Sequence, residues 1–488
     1  MKSECVYTTV RHLVRHACAV LMVFAVCACF GSCAALAAIF TVNSTADVHD
    51  ANAGNGVCET AAGNHICTLR AAIEEANKLA GADTIVLQAN ATYLLSLTST
   101  QDSITADLIV SDSVTITGAG PNSTIIDGNG TGQRVFVVFR CVGNVVNQQN
   151  QSCTNGDVSV SMSGLRIKNG FSANVAGGIY NVGILTLDNV AVTDNTANGL
   201  NDWGGGIYNA GPLTMTNCLL ANNKTGAHNA YGGGMYSQGT LTITDSTISG
   251  NSTYSGTSSP GYGGGLFLIG YAVTIRNSTI SGNRAAVGGG IYHGGYPLAL
   301  INDTISGNFS DGNGGGLHNN SGTTGLYNVT VTQNRANDDE SGFNVGGGIS
   351  NAAAGTLTVV DSIVAGNEIV IPTVPPTLDV DDCVGTITSQ GYNVLEFVDA
   401  SHCSVAGSYS SDNPLLGPLQ FNGGPTQTHA ISPGGSAIDK GNPSGCTDDL
   451  GSPVTTDQRG VHRPSGSACD IGAFEYVELI FKNGFEPP

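Results

Sequence analysis

The chain is expected to fold as an all-β, right-handed single-stranded parallel β-helix with an N-terminal helical cap, and three features of its 488 residues lead there. The first is a glycine triplet followed by an aliphatic and then usually an aromatic residue, as in Gly204-Gly205-Gly206-Ile207-Tyr208. The residue after the aliphatic is Tyr180, Tyr208, Tyr236, Phe267, Tyr292, His318 and Ser350, at spacings of 28, 28, 31, 25, 26 and 32. The second is an aliphatic column 12–14 residues later: Val192, Leu220, Ile248, Ile280, Ile305, Val331 and Val364. The third stands three residues further on, where an asparagine occurs every time: Asn195, Asn223, Asn251, Asn283, Asn308, Asn334 and Asn367. Stretches between the columns, such as Leu241-Thr242-Ile243-Thr244, alternate with the period of a half-buried strand. A period near 28 with short strands and glycine corners means coils of about three strands, stacked about 4.8 Å apart.

Each column has a physical role in such a stack. The aliphatic columns form continuous interior ridges, and a turn asparagine hydrogen-bonds the asparagine one coil above. Residues 104–130, with Val114-Thr115-Ile116-Thr117 and Thr124-Ile125-Ile126-Asp127, read as earlier, less regular coils. A helical repeat is excluded, because no ten-residue stretch of the repeat escapes Gly, Thr and Asn. Composition agrees: 68 glycines and only 11% charged residues, where about 25% is usual, while hydrophobic residues stay at 41%. That hydrophobic share excludes disorder, and the lack of glycine at every third position excludes collagen. Stacked identical positions penalise like charges, so neutral Thr and Asn columns replace charged ones.

Residues 1–37 read as a secretory signal. Lys2, Arg11 and Arg15 are its basic region, Cys18 to Phe30 its apolar core, and Ala35-Leu36-Ala37 the small-residue exit. No second apolar run long enough for a spanning helix follows. The net charge of −20 repels phosphate backbones and anionic bilayer faces, so neither nucleic acid nor such a membrane surface is an expected partner. Nine cysteines follow the signal, and in an exported chain eight pair as sequential neighbours: Cys58–Cys67, Cys141–Cys153, Cys383–Cys403 and Cys446–Cys469. Cys218 is left over as a small buried hydrophobe. Zinc is the rival reading, but there is no C-x-x-C pair and no histidine cluster at ligand spacing.

The repeat motif resembles that of polymorphic outer membrane proteins, which are surface autotransporters; the likeness covers only the repeat, and the 58 residues after 430 are too few for their membrane barrel. Residues 39–97, from Ile39-Phe40-Thr41-Val42-Asn43 through Cys67-Thr68-Leu69-Arg70-Ala71-Ala72-Ile73, resemble the CSLREA domain that precedes β-helices in exported bacterial proteins, with Thr68 and Ala71 in place of its Ser and Glu. In this segment Leu69, Ile73, Ala76 and Ala80 form one apolar helix stripe, with Arg70 and Glu74 at i,i+4, suited to covering the first coil. Residues 413–475, with Asn422-Gly423-Gly424-Pro425-Thr426, Asp457-Gln458-Arg459-Gly460 and Asp470-Ile471-Gly472-Ala473-Phe474-Glu475, are similar to the choice-of-anchor Q domain, which implies surface sorting. Residues 480–486 resemble a short terminal tag. The domain plan is therefore a signal at 1–37, a cap with first coils at 38–100, coils at 101–370, the anchor-like region at 371–475 and a tail at 476–488.

The fold is a pectin-lyase-like solenoid, and many such solenoids are polysaccharide lyases or glycosidases. A glycosidase needs two carboxylates about 5–10 Å apart. The corner column Asn189, Asn217, Asp245, Asn277, Asn302, Asn328, Asp361 holds two, but four coils apart. The remaining catalytic candidates are Asp303, which stands where other coils carry Val, Cys or Ser, and His293 and His318. Asp303 is expected to turn to solvent, and Arg459 and Arg463 with Asp457 and Asp470 to form an ion lattice closing the last coil. Because the neighbouring aliphatic must point inward, Tyr180, Tyr208, Tyr236, Phe267 and Tyr292 are expected outside, as a flat ladder for sugar rings whose removal leaves stability unchanged. No cofactor is expected. Asp47, Asp50, Asn52 and Asn55, and Asp379-Val380-Asp381-Asp382, offer oxygen ligands for calcium without EF-hand spacing, so solvated acidic loops are the reading. The sequence thus predicts an exported surface or matrix protein with a structural or adhesive role, its expected partners extracellular carbohydrate or another cell surface, with a carbohydrate-active enzyme as the alternative.

Overall fold

A computed structural model describes residues 37–97, 106–130, 132–139, 158–199, 202–226, 230–253, 260–338 and 345–478, with the backbone of strands Cys141–Val142, Val145–Val146 and Gln151–Ser152. The expected signal segment, the terminal tag and Cys153 lie outside these residues, so the expected Cys141–Cys153 bridge does too. The chain is a right-handed parallel β-helix: 29 of the described strands join in one continuous parallel system. Stacking runs from Ile39–Thr41, paired with Asp83–Val86, to Cys403–Ala406, paired with Cys383–Ser389, so the coils extend beyond the repeat motif at both ends.

One coil explains the others. Strand Ile207–Asn209 pairs in register with Met235–Ser237, Leu213–Thr216 with Leu241–Thr244, and Leu219–Ala221 with Thr247–Ser249. Ile207, Met215 and Leu220 point inward and are fully buried, as are their equivalents in successive coils. Each coil bends at left-handed corners. The polar corner column takes φ of 53° at Asn189, 52° at Asn217, 51° at Asp245 and 53° at Asn277, which is why Asn and Asp recur there. The glycine triplet makes a second corner: Gly204 sits at φ 67°, and a Cβ on Gly206 would come within 2.8 Å of the Asn223 side chain. Triplet and asparagine therefore require one another.

The asparagine ladder forms as expected. Nδ2 of Asn195, Asn223, Asn251, Asn283, Asn308 and Asn334 each donates to Oδ1 of the next asparagine at 2.9–3.0 Å. Asn367 ends the ladder on the carboxylate of Asp382, at 2.8 Å. All seven are completely buried. A second, interrupted ladder runs through Asn181, Asn209 and Ser237, and again through Asn319 and Asn351.

Helix Leu69–Ala76 caps the first coil, with Thr68 as its N-cap and Leu69, Ala72, Ile73 and Ala76 buried against it. Two details differ from expectation. The helix stops at Ala76, leaving Ala80 exposed. Arg70 and Glu74 do not pair with each other: Arg70 is buried on Asp47 at 2.7 Å, while Glu74 meets His49 and the Asp50 amide. Desolvating Arg70 inside the cap favours a tertiary carboxylate over a helix neighbour. Disulfides Cys58–Cys67, Cys383–Cys403 and Cys446–Cys469 are formed, and Cys218 is a free, buried thiol pushed up to about 11 by burial.

The C-terminal region does not close the last coil. It lies along the flank of the coils from Arg276 to Val394. Asn302 donates to the Thr456 carbonyl, Asn328 to that of Thr447, and Asp361 accepts from the Asn442 amide at 2.7 Å. Outward-facing Ala299 and Ile301 are buried there under Cys446, Val454 and Cys469. The Arg459 and Arg463 lattice exists, but it stitches this region to the flank: Arg463 donates to Asn328 Oδ1 and to the Asp470 and Gly472 carbonyls, 3.7 Å from Glu475. Arg459 is paired with Asp457 and lies 3.5 Å over the Phe474 ring.

Candidate functional site

Tyr180, Tyr208, Tyr236, Phe267 and Tyr292 do stand outside the coil wall, since Ile179, Ile207, Met235, Leu266 and Ile291 beside them are fully buried. They form one stack with ring centroids 4.8–5.4 Å apart and planes within 3–14° of parallel. This corrects the expected ladder of flat platforms. Each ring covers its neighbour's face, so only ring edges and hydroxyl tips point away from the wall. Tyr208, Phe267 and Tyr236 are accordingly only 7%, 6% and 5% exposed. The Arg134 guanidinium caps one end over Tyr180, and His318 lies against Tyr292 at the other.

Burial changes the expected effect of removing these rings. Tyr208→Ala with Tyr236→Ala is expected to lower stability by about 3 kcal/mol or more, as in other large-to-small changes at packed aromatics. Denaturant unfolding checks this; an unchanged midpoint would mean that the stack contributes nothing to the fold.

A second aromatic column escaped sequence reading. Trp203, Tyr231 and Tyr262 each stand directly before a glycine triplet and are bridged to one another in parallel register, with Val287 next. The signal was present, because these positions share the triplet's period. Trp203 lies over Tyr236 at 5.1 Å, and Tyr231 leans on Phe267 at 4.7 Å. Beyond Tyr262 the column changes from rings to Val287 and Asn313. A groove of about 640 Å³ lies here, lined by Trp203, Tyr231 and Tyr262 of this column and Tyr236, Phe267 and Tyr292 of the first, together with Val287, Asn313, His318 and Asn320.

The groove is electrically neutral across ordinary pH. Burial, reinforced by neighbouring tyrosines, pushes Tyr208 and Tyr292 up to about 12 and raises Tyr236 and Tyr262. Burial drives His318 down to about 4, leaving its imidazole neutral beside the Ser350 hydroxyl. Gln238 donates to the Tyr208 hydroxyl at 2.8 Å. Among the described residues, the lining offers apolar edges, hydroxyls and amides, and no fixed charge.

Among the described residues, no hydrogen bond joins any two of the catalytic candidates. His293 is inside the coil in the second ladder column, its Nε2 donating to the Tyr296 carbonyl and its Nδ1 facing the Thr324 hydroxyl at 2.9 Å. Asp303 is fully buried rather than turned to solvent. Its two oxygens accept the Ser278 amide at 2.7 Å and the Ile301 amide at 2.8 Å. It does the work of the Ser246 and Ser362 hydroxyls of the same column, which also accept an amide from the preceding coil. The two acidic loops are also occupied: Asp47 accepts from Arg70, Ser96 and Leu97, Asp50 from Asn52 and Glu59, and Asp382 ends the ladder.

Buried acids give the fold a pH dependence. Desolvation raises Asp303 to about 8, Asp382 to about 7, and Asp361 and Asp470 to about 6. With folded values above unfolded ones, the native state keeps protons that the unfolded chain has released. The buried histidines His293, His318 and His429, lowered by burial, oppose this below about pH 6.5, but the four acids together carry the larger shift, so stability falls as pH rises from about 4 to about 8. The melting temperature should be higher at pH 5 than at pH 8, and Asp303→Ser should reduce that difference. A melting temperature that rises with pH would contradict these assignments.

No family model matches the chain, and no curated protein matches it. Among solved structures, it is similar to the crystal structure of pectate lyase Pel9A, at 13% identity and a TM-score of 0.37, over 91% of this chain and 97% of that one. A likeness of this size carries no argument about chemistry. What fold and site define together is a disulfide-bonded parallel β-helix with a neutral, aromatic-walled groove. Among the described residues, no helix is long and apolar enough to cross a membrane.

Proposed function

We propose that this chain is an exported surface or matrix solenoid that holds a neutral polysaccharide along its aromatic columns. The groove carries the reading. Its lining combines aromatic edges, tyrosine hydroxyls and asparagine amides, the groups that suit the apolar faces and hydroxyl rims of neutral sugars. Its rings repeat at 4.8–5.4 Å along the helix axis, close to the rise of one residue in an extended 1,4-linked β-glycan, so a polymer lying along the axis meets one ring per sugar. The three disulfides support an extracellular setting.

Among the described residues, the lining holds no Asp, Glu, Lys or Arg, whereas glycoside hydrolysis uses a carboxylate pair. Binding without turnover is the better fit. Purified chain incubated with a panel of neutral and acidic polysaccharides is expected to be retained by a neutral one, with no new reducing ends and no unsaturated products. Release of either product would replace binder by enzyme, and retention only by acidic polymers would remove the neutral-glycan reading.

A further inference from the structure

The outward rings of the stack have covered faces, whereas one exposed aromatic pair covers only the faces its two rings turn to each other. Tyr271 and Tyr296 are 62% and 64% exposed, stacked on each other at 5.8 Å. Resting on the glycan-binding reading above, we propose that Tyr271, with the trough beside it, is a second subsite where a sugar of the same neutral glycan stacks face-on. The trough, about 260 Å³, runs past Gly183, Gly211 and Gly239 and ends against Tyr271. Its floor is bare backbone because nothing larger fits: a Cβ on Gly211 would lie 2.0 Å from the Gly183 carbonyl oxygen, and one on Gly239 would lie 1.9 Å from that of Gly211. Val182, Ile184, Ala210, Pro212 and Thr240 complete a lining that is uncharged among the described residues.

Folding gives no reason for these tyrosines. Their rings touch only each other among the described aromatic contacts, and two large exposed rings in adjacent turns are a surface kept for something else. An open ring face above a flat peptide floor accepts a pyranose, whose axial hydrogens pack on the ring while its hydroxyls reach peptide groups. The trough also adjoins the groove. Ile269 lines the groove and stands two residues before Tyr271, and Gln238, next to Gly239, holds the Tyr208 hydroxyl. A longer glycan thus meets both sites, and a shorter one only one of them.

Calorimetric titration of the full chain with cellohexaose, xylohexaose and mannohexaose, and with the corresponding trisaccharides, tests this. One hexasaccharide is expected to bind more tightly than its trisaccharide. Tyr271→Ala with Tyr296→Ala should weaken the hexasaccharide on the order of tenfold, with the melting temperature unchanged, while Tyr271→Phe binds like the parent. If the alanine pair binds like the parent while Trp203→Leu binds weakly, the second subsite is overturned and the groove stands. If Tyr271→Phe weakens as much as alanine does, stacking is overturned in favour of a hydroxyl contact. If the parent binds none of the sugars, both readings fall.

Discussion

Asn251→Ala is expected to cost about 4 kcal/mol, the largest single loss in the coil interior. Oδ1 of Asn251 accepts from the Asn223 amide at 2.9 Å and from Asn223 Nδ2 at 3.0 Å, while its Nδ2 donates to the Leu220 carbonyl at 2.8 Å and to Asn283 Oδ1 at 3.0 Å. Alanine leaves these partners unsatisfied in a site that water does not reach, and each costs about 1–3 kcal/mol, partly relieved by relaxation. The loss also propagates, because Asn223 and Asn283 are themselves rungs and a solenoid's stability depends on its nearest-neighbour interfaces. Asn251→Asp should be no better: the carboxylate keeps both acceptors but loses both donors and buries a charge. Denaturant unfolding with a fixed m-value reads the effect. A change below about 1 kcal/mol would mean that the ladder decorates the corner rather than holding it.

Arg463→Ala is expected to cost about 3–5 kcal/mol and to release the C-terminal region from the flank. Arg463 is 3% exposed, sits 3.7 Å from Glu475, and contacts Asn328 of the coils directly. Removing it leaves Glu475 and Asp470 buried without their central cation, while Asp457 keeps Arg459. Arg463→Lys keeps the charge but not the fork that reaches the Asp470 and Gly472 carbonyls together, so it should recover only part of the loss. Hydrogen exchange separates this from general unfolding: residues 413–476 should lose protection while Ile207, Met235 and Leu266 keep theirs. Uniform loss would show that coils and C-terminal region fold as one cooperative unit.

The coils were legible because each is written in about 28 residues and repeated in register. Corner asparagines, inward aliphatics and the ladder all share that period. The C-terminal docking has no period: Thr279 meets Gln458 across 179 residues and Asn302 meets Thr456 across 154. Its trace in the sequence was a broken alternation, for Ala299 and Ile301 fall where the previous coil carries Thr274 and Arg276. At Asp303 a carboxylate in a serine position suggests solvent, whereas two backbone amides wait there. The ring stack was placed on the correct side of the wall, but alternation says only which way a side chain leaves the strand. It cannot tell that identical neighbours one coil apart will cover each other's faces. The groove depended on Trp203, Tyr231 and Tyr262, whose column lies just outside the strands that alternation identifies.

Trp203 is the chain's single tryptophan and lines the groove, so its emission reports occupancy without a label. Titrating the parent with a neutral hexasaccharide, and in parallel with an acidic one, tests glycan binding in the groove most directly. A saturable change in Trp203 emission with the neutral sugar alone, abolished by Tyr262→Ala, is the expected result. Retention of a polysaccharide with unchanged Trp203 emission, or an equal response to the acidic sugar, would contradict it.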